Sequence, residues 1–496
     1  MNDELTLDEE RSWSGQWWLP ENPDDKVAGV LSYHPDDGLT LTLIGGWEYR
    51  VVEHLGNGAT SIPGETLRWE MIHGRAENKL LTLLDAGVQR AQTFAFARMF
   101  DGGPDELVLH ANTLLVGCLL DEPSEPAFEA AIVTAENLTT WSCQGGVTTS
   151  QTVNPETRDR TRTITADTVP PLSVQIDDLT AKLHTVNWAP APAYQRWGTT
   201  AGIRERVTFE FAATGTRSLA EWIRLMATIE DLLSLSTLRA CALIWTRVYL
   251  PATPERWPED HPQRNRRREV EVYQQRILTP RPGEKAVDMH DFVLTLNDLP
   301  FDKLIPRWLE VDAKFSAARS MILGLRYVTG GYLESKVVTA VAAAESMSRA
   351  LKPPPVMTKG ELKALRKTVL AVVPEERRSW VRERLISADP TLPERLAMLA
   401  TRPGEFMSKL VPNVPAWAES AASARNKLAH VGQSRHTANE LHAVVEVTSA
   451  VVVMNFLFEL GVPADRMEMA LSEHRRLAAA ARLAHEMFPA TTVEPG

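Results

Sequence analysis

The sequence predicts an α+β protein of several domains, with a β-rich, sandwich-like N-terminal half followed by an all-α helical bundle. Three observations predict this class. The chain has 496 residues, too many for a single hydrophobic core, which favours roughly two to four domains. Eleven of its 14 Trp residues precede position 260, together with most of the alternating Thr- and Val-rich runs. Beyond about residue 300, apolar residues instead recur with the helical period.

Short segments with the alternation or β-branched composition of strands fill the N-terminal half. The turn-forming runs PENPDD, HPDDGL and NPETRD separate them. Such spacing is typical of a sandwich or a partly closed barrel, so we expect one or two β modules within residues 1–240. The predicted strands are TLTLIG (40–45), ELVLHA (106–111), RTITADTV (162–169), LSVQI (172–176), AKLHTVNW (181–188) and RVTFEFAA (206–213).

A connecting segment is predicted over residues 241–300. It follows a helical pattern at 218–235 and begins within a strand-like run at 240–249. The next stretch, PATPERWPEDHPQRNRRR, combines several prolines with charges of both signs, a composition that favours an exposed basic loop. We therefore expect a linker between the two halves.

Helices are predicted throughout the C-terminal domain, residues 301–496. In LESKVVTAVAAAESMSRAL (333–351) the apolar residues fall on one helical stripe, and PPP directly after it ends the helix. The segment 437–460 is apolar on nearly all sides, more than one face of a small bundle requires. Further helices are predicted at about 303–326, 358–371, 375–387, 393–402, 415–431 and 464–487.

Composition restricts the class of protein and its compartment. A hydrophobic fraction of 44% without long low-complexity tracts is typical of a folded, soluble protein. We expect neither membrane insertion nor secretion, since every long apolar run contains polar groups and the start, MNDELTLDEERSW, is acidic. Three cysteines without metal-ligand spacing indicate reduced thiols, and hence a cytoplasmic protein.

The net charge of −11 argues against broad, non-specific binding to nucleic acid, which usually requires a basic surface. It leaves room for a local basic groove. Two stretches concentrate cations, RNRRR (264–268) and EERRSWVRER (375–384). Acidic neighbours dilute both, so each has two interpretations, a solvated surface or an RNA contact.

The stretch SARNKLAHVG (423–432) places polar side chains near the end of a predicted helix. Because an α-helix turns roughly 100° per residue, Asn426 and His430 lie nearly above one another, with Arg425 about 140° from His430. Gly432 is a natural helix stop. The same Arg and His spacing recurs in RWEMIH and RWPEDH, but only RNKLAH lies between helices. Its two interpretations are a catalytic site and an ordinary polar cap of the helix.

RNKLAH (425–430) matches the signature of HEPN domains, an Arg followed by a polar residue, three residues and a His. GGYLESKVVTAVAAAESMSRAL, with its Pro break, is similar to the Apea-like subgroup of HEPN domains. SGQWWLPENPDDKVAGVLSYHPDDGLTLTLIGG resembles the N-terminal domain of the same ApeA family. The resemblance covers nearly the whole chain in architecture and implies that the bundle is a HEPN domain.

The resemblance implies a metal-independent endoribonuclease of bacterial anti-phage defence by abortive infection, which cuts host RNA, with tRNA as the expected target. The alternative is a non-catalytic HEPN scaffold for dimerisation and interaction, joined to a β-rich sensing domain. Since a constitutively active ribonuclease would poison its host, we expect residues 1 to about 240 to sense a phage component, such as a phage protein, and to restrain the bundle.

RNA carries its own nucleophile, the 2′-OH, so cleavage needs that hydroxyl deprotonated, the phosphorane charge stabilised and the 5′-oxygen protonated. His430 is the predicted general acid or base, since imidazole exchanges protons at cellular pH. Arg425 presents a fork of donors for two phosphate oxygens. Asn426 can hold the imidazole or a phosphate oxygen through its amide. The products would be a 2′,3′-cyclic phosphate and a 5′-OH.

Two further residues are candidates for supporting roles. Glu345 lies beside the apolar stripe of its helix, where a carboxylate needs a partner that Arg425 or His430 can provide; a Glu on the solvent edge is the alternative. Lys427 is interpreted as a solvated side chain with at most a secondary phosphate contact. The twelve His residues are scattered, so we expect no metal site and no cofactor.

A homodimer, or a dimer of dimers, is also expected. One motif supplies one imidazole, whereas the two proton transfers are most simply done by two groups on either side of the phosphate. A two-fold interface at the motif would bring together two copies of His430 and two of Arg425, and the resemblance implies that HEPN domains build their site in this way. Part of the apolar surplus of segment 437–460 is predicted to face the second subunit.

Overall fold

The computed structural model describes residues 6–51, 53–55, 59–61, 64, 66–93, 103–281, 283–328, 330–385 and 387–490, and the chain divides into two compact units. The β-rich unit comprises the residues up to Leu233 together with Cys241–Val287. The helical unit comprises Ser234–Ala240 and the residues from Asp288 onwards. The predicted order, a β-rich half followed by an all-α bundle, is confirmed.

Antiparallel strands make up most of the β-rich unit. In the described chain they are β1 (Arg11–Leu19), β2 (Asn22–His34), β3 (Gly38–Ile44), β4 (Glu53–Leu55), β5 (Ala59–Ser61), β6 (Arg68–Ala76), β7 (Lys79–Gln92), β8 (Glu106–Val116), β9 (Phe128–Ala135), β10 (Val147–Val153), β11 (Arg160–Ala166), β12 (Leu172–Ile176), β13 (Leu179–Trp188), β14 (Ala193–Gln195), β15 (Gly198–Thr200), β16 (Arg204–Arg217), β17 (Leu243–Leu250) and β18 (Arg268–Gln274). Strand β3 shows why they form: Leu39, Leu41 and Leu43 alternate with threonines and are fully buried. Burying each leucine stabilises the fold by about 1.5–3 kcal/mol.

The large sheet has the strand order β12-β13-β16-β9-β17-β18-β8-β3-β2-β1-β6-β7, and β7 also pairs with β8. That extra pairing closes β8, β3, β2, β1, β6 and β7 into a barrel, from which the other strands extend as an open sheet. Strand β8 belongs to both. One of its edges pairs with β7, and the other pairs first with β3 and then with β18. Of the two β architectures that the sequence leaves open, a sandwich and a barrel, the structure has the barrel, with Trp17, Leu41 and Leu109 in its core.

The predicted linker over residues 241–300 differs from what the structure shows. Strands β17 and β18 lie in the sheet between β9 and β8, and the chain up to Val287 belongs to the β-rich unit. The Pro- and Arg-rich stretch is the loop that joins these two strands. The strand-like run at 240–249 corresponds to β17, and the composition of the loop masks the start of β18. Arg267, directly before β18, is bound within the unit, since it contacts Glu129 at 2.6 Å and Glu210 at 2.9 Å.

Helices make up most of the helical unit, and capping explains several of their boundaries. The helices of the described chain are α1 (Leu138–Ser142), α2 (Leu219–Thr237), α3 (Phe301–Lys314), α4 (Ser316–Tyr327), α5 (Leu333–Ala350), α6 (Lys359–Val372), α7 (Glu375–Arg384), α8 (Leu392–Thr401), α9 (Val414–Val431), α10 (Ala438–Leu460), α11 (Ala464–Glu473) and α12 (Arg475–Met487). Reciprocal Thr and Glu capping boxes begin α6, α8 and α10. The helix predicted over 464–487 is two helices, because His474 ends α11 and its Nδ1 accepts the Arg476 N–H at 3.2 Å, capping α12.

Helix α10 is the central helix of the helical unit. It packs against α3, α5, α8, α9, α11 and α12, which bury residues on all its sides, including Val444, Val451 and Phe456. Its mean hydropathy of 1.8 and its length would suit a membrane span, but 83% of that span is buried inside the protein. An apolar circumference is what a surrounded core helix requires. The apolar surplus of 437–460 is therefore covered by its own unit and is not the predicted surface for a second subunit.

Candidate active site

Helix α9 carries the RNKLAH motif at its C-terminal end. The helix begins at Asn413, whose side-chain oxygen accepts the Ala416 N–H at 3.1 Å. It ends at Gly432, which has φ of 73° and donates its N–H to the Leu428 carbonyl at 3.1 Å. The helix thus stops just after His430, and the motif occupies its last two turns.

Small side chains allow α9 to lie close to α5 and α8. The three helices are in mutual contact, and much of the buried surface of α5 and α9 consists of alanines. Alanine side chains permit a short separation between helix axes, so that long polar side chains at the edge of the contact can reach the neighbouring helix. The buried alanines are Ala340, Ala343 and Ala344 on α5 and Ala418, Ala421, Ala422 and Ala424 on α9.

Two contacts hold Arg425 at this edge. Its Nη2 donates to Oε2 of Glu345, on α5, at 3.2 Å, and its Nη1 donates to Oδ1 of Asn426 at 3.0 Å. The Arg425 side chain is 28% exposed and that of Glu345 is 13% exposed, so water screens this pair only in part. Of the two partners predicted for Glu345, Arg425 is the one in contact. The position of the Arg425 guanidinium is therefore set by α5 and α9 together rather than by α9 alone.

Two arginines that the sequence does not single out join the same carboxylate. Arg349, one turn further along α5, contacts Glu345 at 2.7 Å, and Arg395, in the first turn of α8, contacts it at 3.5 Å. We call Glu345, Arg349, Arg395 and Arg425 the arginine cluster. The spacing of four residues on one helix is a signal for the Glu345 and Arg349 pair. No sequence signal connects Arg395, because it comes from another helix.

The remaining motif residues lie at the surface of the same helix end. His430 and Asn426 are exposed, and Lys427 is half-buried. In the described part of the chain, the contacts of the arginine cluster do not include His430 or Lys427. The structure therefore brings Arg425, Asn426 and Glu345 together and leaves the imidazole of His430 open to a ligand.

The charge of this surface favours an anion. Three guanidiniums share one carboxylate, and Lys427 adds a further cation on α9. Guanidiniums bind phosphate oxygens through paired, charge-assisted hydrogen bonds. Within the ranges that the structure describes, no group of three or more His, Cys, Asp or Glu side chains is placed to hold a metal ion.

A family model for the ApeA N-terminal domain 1 matches residues 12–308, more than half of the chain. The chain belongs to the ApeA family. A second family model, for the Apea-like HEPN domain, matches residues 338–466, a range that contains the arginine cluster and the motif from Arg425 to His430. An Apea-like HEPN domain points to an enzyme of the RNA-cleaving type with an ApeA-type role in defence. No curated protein and no solved structure matches this ApeA-family chain.

Proposed function

We propose that this chain is a metal-independent endoribonuclease that acts in anti-phage defence and cleaves host RNA, with tRNA as the substrate class. The observation that carries the proposal is the contact of Arg425 with Glu345 at 3.2 Å, at the helix end that also carries the exposed His430, within the region matched by the Apea-like HEPN model. The contact fixes a guanidinium suited to phosphate at the same solvent-open helix end as an imidazole suited to proton transfer.

The reaction proposed is an internal displacement at phosphorus. The 2′-oxygen loses its proton and attacks the phosphorus, the bond from phosphorus to the 5′-oxygen breaks, and that oxygen gains a proton. His430 serves one of the two proton transfers. Arg425 stabilises the charge that develops on the phosphorane oxygens, a role in which a pre-positioned donor is most effective. Asn426, whose oxygen accepts from Arg425, keeps its amide N–H groups for a phosphate oxygen or the imidazole.

The second proton transfer is assigned to a second copy of the chain. One motif offers one imidazole, and a two-fold axis near the exposed end of α9 would place a second His430 opposite the first. The composite site makes a specific prediction for mixed protein. Excess His430→Ala chain, mixed and re-equilibrated with wild type, should lower cleavage more steeply than simple dilution. Strictly linear loss, or an active species with the light-scattering mass of one chain, would contradict the composite site.

The β-rich unit is proposed to receive the phage signal, since the site residues of the motif all lie in the helical unit. The inactive His430→Ala chain, expressed during infection, can be cross-linked to the phage component without killing the cell. Cross-links should map to residues within the β-rich unit. Cross-links confined to the helical unit would contradict this assignment.

The test of the enzyme itself compares two exposed histidines. His430→Ala should lose RNA cleavage by roughly 10²-fold or more, the range of a general acid or base. His442→Ala, an exposed histidine on α10, should cleave like wild type. The assay uses purified full-length protein, total tRNA and mapping of 2′,3′-cyclic phosphate ends. Equal cleavage and equal phage restriction by both variants would refute the ribonuclease and favour the scaffold.

A further inference from the structure

The two helices α6 and α7 form a hairpin without a core of its own. Neither helix contributes a buried residue, although together they span Lys359–Arg384. Short helices are marginally stable by themselves, and ordering them costs conformational entropy that burial normally offsets. We call Lys359–Arg384 the basic hairpin. Its solvent-exposed construction is that of a binding surface rather than of a packing element.

The charge of the basic hairpin is opposite to that of the protein. It contains eight Lys or Arg residues against four Glu, a net charge of +4 in a chain of net charge −11. Its acidic residues lie mainly at helix starts: Glu361 closes the capping box of α6, and Glu375 and Glu376 occupy the first turn of α7. Most of the acidic residues that accompany the cations in the sequence therefore lie at the helix N-termini. Most of the cations lie further along each helix.

The cations follow helical faces, and an aromatic ring lies among them. Lys359, Lys363 and Lys367 recur every four residues along α6, which places them on one side of the helix. On α7, Trp380 is 59% exposed, and the guanidinium of Arg384 lies 4.9 Å from the centre of its ring. Cationic rows beside an exposed aromatic ring are the elements that bind a nucleic-acid backbone and stack its bases.

The base of the basic hairpin is tied to the candidate active site. The chain enters it from the last turn of α5, where Arg349 contacts Glu345 at 2.7 Å. It leaves into the first turn of α8, where Arg395 contacts the same carboxylate at 3.5 Å. A hydrogen bond from the Val356 N–H to the Ala388 carbonyl, at 2.8 Å, joins the segment that enters the hairpin to the segment that leaves it. The two helices that flank the hairpin, α5 and α8, thus both contact the carboxylate that binds Arg425.

We propose that the basic hairpin is an RNA-binding arm that holds the substrate strand running away from the phosphate at Arg425. This inference rests on the proposed function for the identity of the substrate, and charge complementarity supports it. RNA is a polyanion with a phosphate at every nucleotide, whereas a second copy of the hairpin carries the same positive charge. The lysines and arginines bind backbone phosphates, and Trp380 stacks on an unpaired base.

The test measures binding separately from cleavage. All proteins are full length and carry His430→Ala, so that labelled total tRNA stays intact. The hairpin variant carries Lys363→Ala, Arg377→Ala and Arg382→Ala, which are exposed positions. The matched control carries Lys303→Ala, Arg475→Ala and Arg482→Ala, which remove the same charges from exposed positions on α3 and α12. Fluorescence anisotropy measures the affinity at salt concentrations from about 50 to about 200 mM. Affinity that depends on phosphate contacts falls steeply over this range.

The hairpin variant should bind tRNA roughly tenfold or more weakly than the control, and the slope of log affinity against log salt should become shallower by about 2. A second variant, Trp380→Leu, keeps the charge and should lower affinity without changing that slope. Binding by the hairpin variant equal to that of the control would overturn the proposal. So would a change in oligomeric mass with unchanged RNA binding, which would assign the hairpin to contacts between copies of the chain.

The outcomes distinguish a failure of the proposed function from a failure of this inference. If protein with His430 intact cleaves RNA while the hairpin variant binds like the control, the ribonuclease stands and the RNA-binding arm is refuted. If it cleaves no RNA but hairpin-dependent binding is measured, the arm stands and the ribonuclease is refuted. If the inactive protein binds no tRNA at all, the arm is refuted as well.

Discussion

Replacing Glu345 with Gln should separate the positioning of Arg425 from the general stability of the helical unit. The carboxylate holds three guanidiniums, at 2.7 Å for Arg349, 3.2 Å for Arg425 and 3.5 Å for Arg395. Glutamine has the same shape but no charge, and it can accept only part of these hydrogen bonds. Arg425 would then be free to leave the position that α5 gives it.

The magnitude follows from exposure. Arg349 is 66% exposed, so its pair with Glu345 contributes roughly 0.3–0.5 kcal/mol, as other exposed helix pairs do. Arg425 and Arg395 are less than a third exposed. Their pairs lie between the surface value of about 0.2–1 kcal/mol and the roughly 3–5 kcal/mol for breaking a buried pair. With partial screening by water, each of these two pairs contributes about 1 kcal/mol. Together with the Arg349 pair, their loss should lower the free energy of unfolding by about 2–3 kcal/mol.

Glu459 is a matched control in the same unit. Its side chain also holds three cations, Arg307 at 3.4 Å, Lys314 at 3.4 Å and Arg402. None of these residues belongs to the arginine cluster or to the motif. Arg307 and Lys314 are 44% and 46% exposed and Arg402 is 26% exposed, so the same reasoning gives a loss of about 1.5–2 kcal/mol in the free energy of unfolding for Glu459→Gln.

The assay combines urea unfolding, followed by circular dichroism at the helical band, with cleavage of tRNA per folded molecule. Glu345→Gln should lose roughly tenfold or more in cleavage, because a misplaced phosphate-binding group weakens transition-state stabilisation. Glu459→Gln should keep wild-type cleavage. Equal cleavage by the two variants would refute a positioning role for Glu345 and leave it a structural ion pair.

Three further predictions concern the end of α9, pH and metals. Gly432→Ala should destabilise the protein by about 1 kcal/mol, because alanine is strained at φ of 73°. Gly324→Ala, inside α4, should instead stabilise it by about 0.5–1 kcal/mol. Melting temperatures of the two variants that shift in the same direction would contradict this. Burial lowers the pKa of His474, so the unfolded chain binds the proton more readily, and this group's contribution to stability is lost as pH falls below about 6.5. Wild type should therefore lose more stability from pH 7 to 5 than His474→Asn, which keeps a capping oxygen; parallel curves would argue against it. Cleavage should persist in excess EDTA, since no proposed step uses a metal ion, and activity that vanishes with EDTA and returns with Mg²⁺ would reject these roles.

The sequence predicts the scaffold of the site and, as one of two alternatives, the contact of Glu345 with Arg425, but it does not predict the contacts of Arg395. The spacing of RNKLAH and the stop at Gly432 place Arg425, Asn426 and His430 at one helix end, which the structure reproduces. Periodicity describes one helix at a time, however. It indicates that Glu345 lies near the edge of an apolar stripe, but it cannot show that α5, α8 and α9 meet there. Arg395 therefore enters the cluster only in three dimensions.

The differences in the fold have similar causes. The strand-like run at 240–249 corresponds to β17, whereas β18 carries little local signal because the proline- and arginine-rich loop leads directly into it. The apolar circumference of 437–460 is correctly predicted, but sequence alone does not distinguish burial by neighbouring helices from burial by another chain. His474 separates α11 from α12, because its side chain caps the first turn of α12. The continuous apolar pattern of the sequence does not show this break.

The double membership of β8 has a consequence for how the β-rich unit opens. Its residues up to Ala111 pair with β3 of the barrel, and those from Thr113 onwards pair with β18 of the open sheet, while β7 runs along its other edge. Neither part can lose β8 without exposing the backbone of the other. The barrel and the open sheet should therefore behave as one cooperative foldon, with amides of β3 and β18 exchanging with solvent at a common opening free energy. A ligand that opened either part would therefore expose backbone groups in both.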